Sequence, residues 1–479
     1  MDKRQPLTFN NFQPMTAIWW IRRDIRLSDN PALHAALKHD AVVPVFIIDP
    51  HLLERTPVCR QDFLFGGLRK LDSELQKRGS ALTIRKGNPE IELLNLIVET
   101  GAQAIYAEED CTPYARTRDE RMSESLPLTL VQGQTVHHPA SILKPDGKPY
   151  TVFTPFSKTW KAHLPESLSP LPAPEYFPPV NLPVSQSLDE IIRFSGSESA
   201  RASDLFPSGE AEAQRRLAQF AKSKINQYAE NRNRMDLDGT SSLSPYIRFG
   251  MVSMRQTAAA AIEASRITLH EATGAATWLN ELIWREFYIS ILYHFPRVSS
   301  QAFNPALQNI PWRNDLDDFQ AWKEGHTGMP VVDAAMRQLR ETGWMHNRAR
   351  MIVASFLVKD LLINWQWGER WFMDNLLDGD PAANNGGWQW TAGTGTDAAP
   401  YFRIFNPILQ SQKFDPDGNY IRKWVPELAH LSAPEIHAPW GKGIRVPGYP
   451  ETPIVEREKV KERTLAAYQK AKITLEPSK

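Results

Sequence analysis

The sequence predicts an α/β domain followed by an all-helical domain, and three observations carry that prediction. Residues 1–140 alternate short apolar runs with helical periods, which is typical of a Rossmann-like, doubly wound parallel sheet. Residues 208–479 show helical periods without comparable alternation. Residues 141–207 include seven prolines between positions 165 and 183, and proline is disfavoured in interior helices and central strands. We therefore expect a long surface linker between the two domains.

Apolar runs and helix-start signals predict the elements of the first domain. The predicted strands are Thr16 to Ile21, Ala41 to Ile48, Ala81 to Arg85, Ala104 to Ala107 and Leu128 to Val131. The first helix is expected to be capped by Asp29, with Pro31 in its first turn. The other helices are predicted at Arg60 to Arg78, at Pro89 to Thr100 and from about Tyr114. No GxGxxG follows the first strand, so the usual dinucleotide-binding fingerprint is absent.

The second domain is predicted from helical periods and is rich in tryptophan. The clearest helices are Glu210 to Arg234, Met254 to Ser265, Thr273 to Tyr293, Val331 to Glu341, Asn347 to Asn364 and Glu369 to Leu377. Of the 15 tryptophans, 12 lie between Trp278 and Trp440, more than the core of one region normally requires. Indoles stack on flat ligands and can be oxidised by one electron. The pattern favours a site for a flat cofactor or a nucleobase, but it does not identify the reaction.

The composition excludes several classes of protein. Lys+Arg and Asp+Glu both number 55, so the zero net charge excludes a globally basic nucleic-acid binder but permits a local basic patch. Cys59 and Cys111 cannot form a disulfide framework or a four-thiolate metal site, and they fit a reducing cytosol. The first residues lack the apolar core of a signal peptide, and no apolar run approaches the ~20 residues of a membrane span. We expect a cytoplasmic protein.

Sequence motifs of common catalytic sites are missing, but one predicted helix has an unusual set of residues on one face. No HExxH, CxxC, GxSxG or P-loop occurs, so no metal site is expected. In WLNELIWREFY, helical spacing predicts a shared face for Glu281, Trp284, Arg285 and Tyr288. The same residues also fit an ordinary helix edge, with one Glu–Arg pair and two aromatic rings capping the core.

A second segment, GWMHNRARM, has a similar ambiguity. Asn347 and Met351 are four residues apart and are expected to face the same way, while Arg348 and Arg350 point elsewhere. An amphipathic helix with solvated arginines explains the pattern equally simply.

Two further segments combine polar groups with small residues. DGDPAANNGGWQW predicts a flexible Asn-Asn-Gly-Gly loop flanked by two carboxylates and two indoles: Asp378, Asp380, Trp388 and Trp390. The carboxylates could hold a polar group or a cation, and the alternative is a surface turn beside an aromatic pair. GTSSLSP, residues 239–245, offers hydroxyls and N–H groups that could cradle phosphates, although a simple helix cap explains it equally well.

Four motifs together resemble the photolyase/cryptochrome family, and within it the class I cyclobutane pyrimidine dimer photolyases of bacteria. They are WWIRRDIRLSDNPAL, WLNELIWREF, GWMHNRARMIVASFL and DGDPAANNGGWQWTAGTGTDAAPYFRIFNP. The resemblance runs from Thr16 to about Tyr468, and the last two motifs are long and specific. It implies an N-terminal α/β antenna domain (1–140), a linker (141–207) and a C-terminal helical domain (208–479) that binds FAD and DNA.

The resemblance also implies which residues bind FAD. Those that match the site of its phosphates and ribitol are Tyr228, Thr240, Ser241, Ser242, Leu243 and Ser244. Asp378, Gly379 and Asp380 match the adenine and ribose side. Arg350 matches an arginine that pairs with Asp378 beside the flavin. Asn384 matches an asparagine facing flavin N5, where a neutral amide supports the reduced cofactor.

Residues for electron transfer and DNA binding are implied in the same way. The tryptophans that match the relay between flavin and surface are Trp388, Trp365 and Trp312. The lesion pocket is matched by Glu281, Trp284, Asn347, Met351 and Trp390. Arginines that match DNA-phosphate contacts are Arg232, Arg348 and Arg403. Glu281 would stabilise the charge that develops on the dimer carbonyls and, with Asn384, forms the implied catalytic pair.

Three functions fit this family. Repair of cyclobutane pyrimidine dimers in UV-damaged DNA, by a monomeric enzyme that uses photoexcited reduced FAD, is the one we expect. Repair of (6-4) photoproducts uses a histidine pair in the lesion pocket, where this chain has Asn347 and Met351. A cryptochrome would be a blue-light receptor, and plant-type members carry Asp where Asn384 stands.

An antenna chromophore is also expected between the two domains. In the folate-binding type, a Glu holds the pterin, and Thr112 stands there in this chain. A Cys-Lys pair of that type is replaced by Ser299 and Ser300. The deazaflavin-binding type uses an Arg, an Asp and a basic residue, matched by Arg60, Asp110 and Arg248. We therefore expect an 8-hydroxy-5-deazaflavin-type antenna, with 5,10-methenyltetrahydrofolate as the alternative.

Overall fold

The computed structural model describes residues 15–165, 168–195, 205–267 and 274–473. It confirms the predicted fold class: a five-stranded parallel sheet is followed by a region of helices. The strands are β1 (Thr16–Ile21), β2 (Ala41–Ile48), β3 (Thr83–Lys86), β4 (Ala104–Glu108) and β5 (Leu128–Val131). Their order across the sheet is β3-β2-β1-β4-β5, and all pairs are parallel. Residues 1–14, where the sequence predicted no signal peptide, lie outside the described part.

The two central strands are buried along their whole length. β1 lies between β2 and β4, with Trp19 opposite both Pro44 and Tyr106. Every residue of β1 and β2 is buried. Helices cover both faces of a parallel sheet, which is why continuous apolar runs predicted these strands with their observed bounds.

Helices α1 to α5 connect the strands. They are α1 (Pro31–Ala36), α2 (Pro50–Leu53), α3 (Val58–Gln76), α4 (Pro89–Thr100) and α5 (Pro113–Ser123). The short helix α2 was not predicted. β3 begins two residues later than predicted because the N–H of Leu82 donates a 2.8 Å hydrogen bond to the carboxylate of Asp72 instead of joining the sheet.

The predicted cap of α1 is wrong by one residue. Asn30, not Asp29, is the N-cap, and its side chain accepts a 2.9 Å hydrogen bond from the N–H of Leu33. Asp29 has a left-handed backbone (φ 49°), whereas an N-cap needs the extended conformation that Asn30 adopts. The Asp29 carboxylate instead accepts hydrogen bonds from the N–H of Leu171 (2.9 Å) and the hydroxyl of Ser253 (2.5 Å).

The segment between the two regions contains helices α6 (Phe153–Ala162) and α7 (Leu188–Ser195). Residues 168–187, which hold most of the prolines, form neither helix nor strand. This stretch is attached to the first region: the N–H of Phe177 donates to the carbonyl of Arg78 (2.8 Å), and the Phe177 ring is fully buried. Most of its residues are exposed or half-buried, but it carries an aromatic anchor, Phe177, that the prolines did not indicate.

The remaining helices form the second region. They are α8 (Glu210–Ser223), α9 (Tyr228–Asn231), α10 (Ser244–Arg248), α11 (Met254–Ile267), α12 (Gly274–His294), α13 (Leu316–Glu324), α14 (Pro330–Thr342), α15 (Asn347–Ser355), α16 (Trp365–Asn375), α17 (Pro381–Ala392), α18 (Pro407–Phe414), α19 (Asn419–Trp424), α20 (Ala433–Ile436) and α21 (Arg457–Ile473). Thr273, the predicted first residue of α12, lies outside the described residues.

Two predicted long helices are interrupted. The helix predicted to Arg234 stops at Ser223, and a Cβ on Gly274 would lie 2.0 Å from the carbonyl oxygen of Ile225, so the chain passes directly against α12 there. The helix predicted over residues 347–364 changes into a π-helical turn at Phe356–Asp360. Helical periodicity continues through both breaks, which is why it did not reveal them.

The predicted Asn-Asn-Gly-Gly loop is wrong, because residues 384–387 lie inside α17. Asp380 caps this helix by accepting hydrogen bonds of 3.1 Å from the N–H groups of Ala382 and Ala383. A Cβ on Gly386 would lie 2.2 Å from Cδ1 of Tyr288 on α12. The glycine therefore permits close approach of two helices and not a turn.

Candidate functional site

Glu281 and Arg285, the two charged residues on the predicted face of α12, form ion pairs with different partners. Glu281 is half-buried, and its Oε1 lies 2.5 Å from Nη1 of Arg232. Arg285 instead donates a 2.9 Å hydrogen bond to Asp380, so the Glu–Arg pair of the simpler interpretation is wrong. The Trp284 indole lies beside Tyr288, with ring centroids 5.5 Å apart. The two charged groups of this face thus hold different neighbouring segments, one before α12 and one after it.

The arginines of α15 are paired and not solvated. Arg350 donates from Nη2 to both oxygens of Asp378, at 3.1 and 2.8 Å. Arg348 donates a 2.6 Å hydrogen bond to Asn233, and its guanidinium lies 4.4 Å from the ring centroid of Phe414. The solvated-arginine interpretation is therefore wrong.

Other predicted DNA-facing residues lie at the surface or partly buried. Asn347 and Arg403 are exposed, while Met351 and Trp390 are half-buried. Within the part of the chain that the structure describes, the Arg403 side chain makes no hydrogen bond or ion pair. Its guanidinium is therefore available to a phosphate.

Asp380 is the most strongly held carboxylate of the site. It is buried, and Oδ2 lies 2.6 Å from Arg23 and 2.9 Å from Arg285. Burial opposes the charge, but Arg285, Arg23 and Arg248 together hold the pKa of Asp380 well below its usual range. Asp380 therefore stays ionised and fixes the start of α17. Sequence reasoning did not select Arg23, which lies in WWIRRD, 357 residues before its partner.

The hydroxyl loop before α10 has unused hydrogen-bonding capacity. Thr240, Ser241 and Ser242 are half-buried, and among the described residues their hydroxyls make no hydrogen bonds. Ser242 has a left-handed backbone (φ 50°), which bends the chain sharply before α10. Tyr228, which precedes this loop in the chain, is buried, and burial raises the pKa of its phenol. Free hydroxyls fit the phosphates and ribitol of FAD.

Asn384 is held by one end of its amide. Its Nδ2 donates a 3.0 Å hydrogen bond to the carbonyl of Glu369, and the Oδ1 accepts none from the described residues. Asn385 donates to Glu369 Oε1 at 2.8 Å, and burial raises the pKa of Glu369 to about 7. The free oxygen can accept a hydrogen bond from a ligand N–H, as the predicted position of the flavin would require. Sequence reasoning missed Glu369, which carries no local signal.

The three tryptophans of the predicted relay lie in one helical core and at its edge. Trp388 and Trp365 are buried in the same apolar cluster, and Trp312 is half-buried against it. The indole nitrogen of Trp388 is buried without a hydrogen-bond partner in the described structure. Trp312 contacts Tyr468 edge-on, with centroids 6.1 Å apart. The three residues thus run from the interior to the boundary of the domain.

Two of the three predicted antenna residues share one main-chain carbonyl, and the third is linked to them through Arg23. Arg248 and Arg60 both donate to the oxygen of Gly379, at 2.7 and 3.4 Å. Arg23 lies 3.5 Å from Asp110 and connects it to Asp380. Burial, together with repulsion from Arg23, lowers the pKa of Arg248 to about 9. The structure therefore brings Arg60, Asp110 and Arg248 into one polar cluster between the sheet and the helices.

Neither a cluster of metal ligands nor a helix that could span a membrane occurs in the described ranges. No three His, Cys, Asp or Glu side chains there come together as a metal site would require. None of the described helices is long and apolar enough to cross a membrane.

Comparison with known proteins gives consistent matches over nearly the whole chain. Residues 17–175 match the family described as DNA photolyase, and residues 278–470 match the FAD binding domain of DNA photolyase. A deoxyribodipyrimidine photo-lyase from Synechococcus sp. is 39% identical, over 96% of this chain and 97% of that protein.

Three solved structures have the same fold. A class III photolyase from Agrobacterium tumefaciens has a TM-score of 0.90 and 36% identity, covering 98% of this chain and 100% of that one. A cryptochrome from Synechocystis sp. has a TM-score of 0.84 and 30% identity, covering 95% and 99%. An archaeal photolyase from Sulfolobus tokodaii, which contains two FAD molecules, has a TM-score of 0.80 and 34% identity, covering 95% and 100%.

Proposed function

Because the chain belongs to the photolyase/cryptochrome family, we propose that it repairs cyclobutane pyrimidine dimers in DNA when illuminated with blue light. The observation that carries this proposal is the half-buried carboxyl of Glu281, which lies on the same helix as Trp284. Arg232, from a segment before that helix, holds this carboxyl in an ion pair. A carboxyl beside an indole suits a stacked pyrimidine pair with carbonyl groups at its edge. The photo-lyase relatives of similar length support the same reaction.

The lesion must leave the duplex to reach such a pocket. Flipping costs less for a poorly stacked dimer than for a normal base pair. Trp284 and Trp390 would receive the flipped dimer by stacking, while Arg232, Arg348 and Arg403 contact DNA phosphates and hold the register of the duplex.

Reduced FAD, when bound, supplies an electron to the dimer after excitation and recovers it after the ring has split. The protein binds the cofactor through the free hydroxyls of the 240–242 loop, and the Arg350–Asp378 pair fixes the chain beside it. Asn384 orients its amide oxygen as an acceptor because Glu369 occupies the nitrogen. Glu281 hydrogen-bonds the dimer carbonyls where negative charge develops.

The direct test is loss of thymine dimers from a defined oligonucleotide. Purified protein with chemically reduced flavin should remove dimers in blue light and leave them intact in darkness. An oligonucleotide with a (6-4) photoproduct should remain unrepaired, because Asn347 and Met351 replace the histidine pair. Equal persistence of dimers in light and darkness would refute dimer repair.

A light-receptor function is the second candidate, favoured by the 0.84 TM-score to the Synechocystis cryptochrome. The two functions differ in the same assay. A receptor would change its flavin spectrum under blue light without removing dimers.

For the antenna, we propose an 8-hydroxy-5-deazaflavin-type chromophore held by the polar cluster of Arg60, Asp110 and Arg248. The two arginines supply cationic donors and Asp110 an acceptor at the border of the two regions. Reconstitution with the deazaflavin and with methenyltetrahydrofolate, followed by absorption and energy-transfer measurements, tests this choice. Tight folate binding without deazaflavin uptake would overturn it.

The protein is further proposed to act as a monomer in the cytoplasm. Both cysteines, Cys59 and Cys111, are free thiols, which fits a reducing compartment. Size-exclusion chromatography with light scattering tests the monomer.

A further inference from the structure

The ring of Phe153, in the first turn of α6, stacks on the indole of Trp284. Their centroids are 3.8 Å apart, and their planes differ by 4°. Phe287 closes the group edge-on, 5.9 Å from Phe153 and 5.6 Å from Trp284. Because α6 belongs to the segment between the two main regions, a residue outside both of them covers one face of a lesion-pocket indole.

The same stretch of chain is hydrogen-bonded to the loop that follows α17. The N–H of Phe153 donates to Oδ2 of Asp397 at 3.0 Å, and the hydroxyl of Thr396 donates to the carbonyl of Thr151 at 2.5 Å. Asp397 has a left-handed backbone (φ 45°), a conformation that Asp tolerates better than most residues do. The loop is thereby held in one shape against the start of α6.

That loop also contacts the main chain of Trp390, which carries the second indole of the predicted pocket. The N–H of Ala399 donates a 3.1 Å hydrogen bond to the carbonyl of Trp390. One short segment therefore contacts Trp284 by stacking and reaches Trp390 through the 396–399 loop. No other described segment stacks a ring face-to-face on Trp284.

We propose that Phe153 and Asp397 form a brace that sets the position of Trp284 relative to Trp390 and so gives the pocket its selectivity for a flipped dimer. The proposal rests on the proposed repair function. Stacking between two indoles is favourable only at a spacing that suits the ligand, and rings held in advance lose less entropy on binding. Phe153 is a positioning residue, since it acts through the indole.

The brace should affect only one part of DNA binding. Contacts to phosphates are independent of the lesion and are made by arginines elsewhere. A loosened indole therefore weakens binding of the dimer while leaving the affinity for undamaged DNA unchanged. A general loss of structure would lower both.

The test uses the FAD-loaded protein in darkness and two oligonucleotides, one with a single thymine dimer and one undamaged. Phe153→Leu should weaken the dimer complex about tenfold, with the Kd for undamaged DNA unchanged. Phe153→Tyr keeps the stacked ring and should restore selectivity. Phe156→Leu is the matched control, because the Phe156 ring contacts Phe287 at 5.3 Å from the same helix but makes no ring contact with Trp284.

A second variant tests the other end of the brace. Asp397→Ala removes the acceptor for the Phe153 N–H and should reduce selectivity, while Asp397→Asn keeps an oxygen acceptor and should preserve it. If Phe156→Leu lost as much selectivity as Phe153→Leu, the brace would be overturned. If the wild type prefers dimer DNA and Phe153→Leu prefers it equally, the brace alone is overturned. If the wild type does not prefer dimer DNA, the repair function is overturned as well.

Discussion

Nη1 of Arg232 lies 2.5 Å from Oε1 of Glu281, so the carboxyl expected to meet the lesion is already held by an arginine expected to meet DNA. The two residues are 49 positions apart, on α12 and just after α9. This contact places the Glu281 side chain before any DNA is bound, and it makes that side chain the first target for substitution.

Glu281→Gln should keep FAD and lesion binding but lower the quantum yield of repair about two- to fivefold. The amide preserves an acceptor for Arg232, but it removes the carboxyl group that is proposed to meet the dimer carbonyls as negative charge develops there. Repair per absorbed photon is measured on a saturating dimer oligonucleotide with the flavin fully reduced. Equal yields in the variant and the wild type would remove the assigned role.

Trp312→Phe should slow photoreduction of oxidised flavin by external donors at least about tenfold, because phenylalanine is much harder to oxidise than tryptophan. Repair by chemically reduced protein should be unchanged, since the repair electron does not pass through the relay. The rate of flavin photoreduction and the rate of dimer repair are both followed by absorption spectroscopy. A variant that photoreduces normally but melts at a lower temperature would show that Trp312 only packs against Tyr468.

His346→Asn should flatten part of the pH dependence of stability. His346 is the N-cap of α15, its Nε2 is buried without a partner in the described structure, and burial lowers its pKa to about 4. The unfolded chain binds a proton near pH 6.5. Wild-type stability should therefore fall as the pH drops from 6.5 to about 4, by up to about 3 kcal/mol.

Asparagine keeps a capping oxygen but does not titrate. The difference in urea midpoints between wild type and His346→Asn should thus change over that pH window and be flat above it. A constant difference from pH 4 to 7 would contradict the assigned titration.

Glu286→Gln should destabilise the protein by about 1–3 kcal/mol. The buried carboxylate accepts hydrogen bonds from Trp160 Nε1 (2.6 Å) and from the N–H groups of Val136 (2.5 Å) and His137 (3.4 Å). In the glutamine variant, the amide NH2 group would point at one of these N–H groups, and that N–H would lose its hydrogen-bond acceptor. Urea denaturation measures the effect, and Glu263→Gln, at an exposed position on α11, should change the midpoint little.

Local sequence signals predicted the sheet well because burial on both faces leaves a continuous apolar run. β1 and β2 begin and end at the predicted residues for this reason. β5 also has its predicted bounds, although it is an edge strand without a buried residue. Local signals failed where a distant contact decides the conformation. Gly386 resembled a turn residue, although its role is the close approach of Tyr288 from another helix.

The candidate site was predicted as a set of residues, but only one of its ionic interactions was predicted. The resemblance supplied Asp378 with Arg350, and the structure has that pair. It did not supply Arg23 for Asp380, because no spacing rule connects residues 357 positions apart. Glu369 was missed because its contacts to Asn384 and Asn385 depend on how α16 lies against α17.

The Arg23–Asp380 ion pair also bears on modularity. Asp380 caps the helix that carries Asn384 and Trp388, and one of its two arginine partners comes from the loop after β1. A helical domain cut away from the sheet would keep Arg285 and Arg248 but lose Arg23, one of the three arginines that keep this buried carboxylate ionised. Chimaeras that exchange the sheet region between relatives therefore need an arginine at position 23, since the sheet region supplies part of the charge that keeps a buried carboxylate of the helical region ionised.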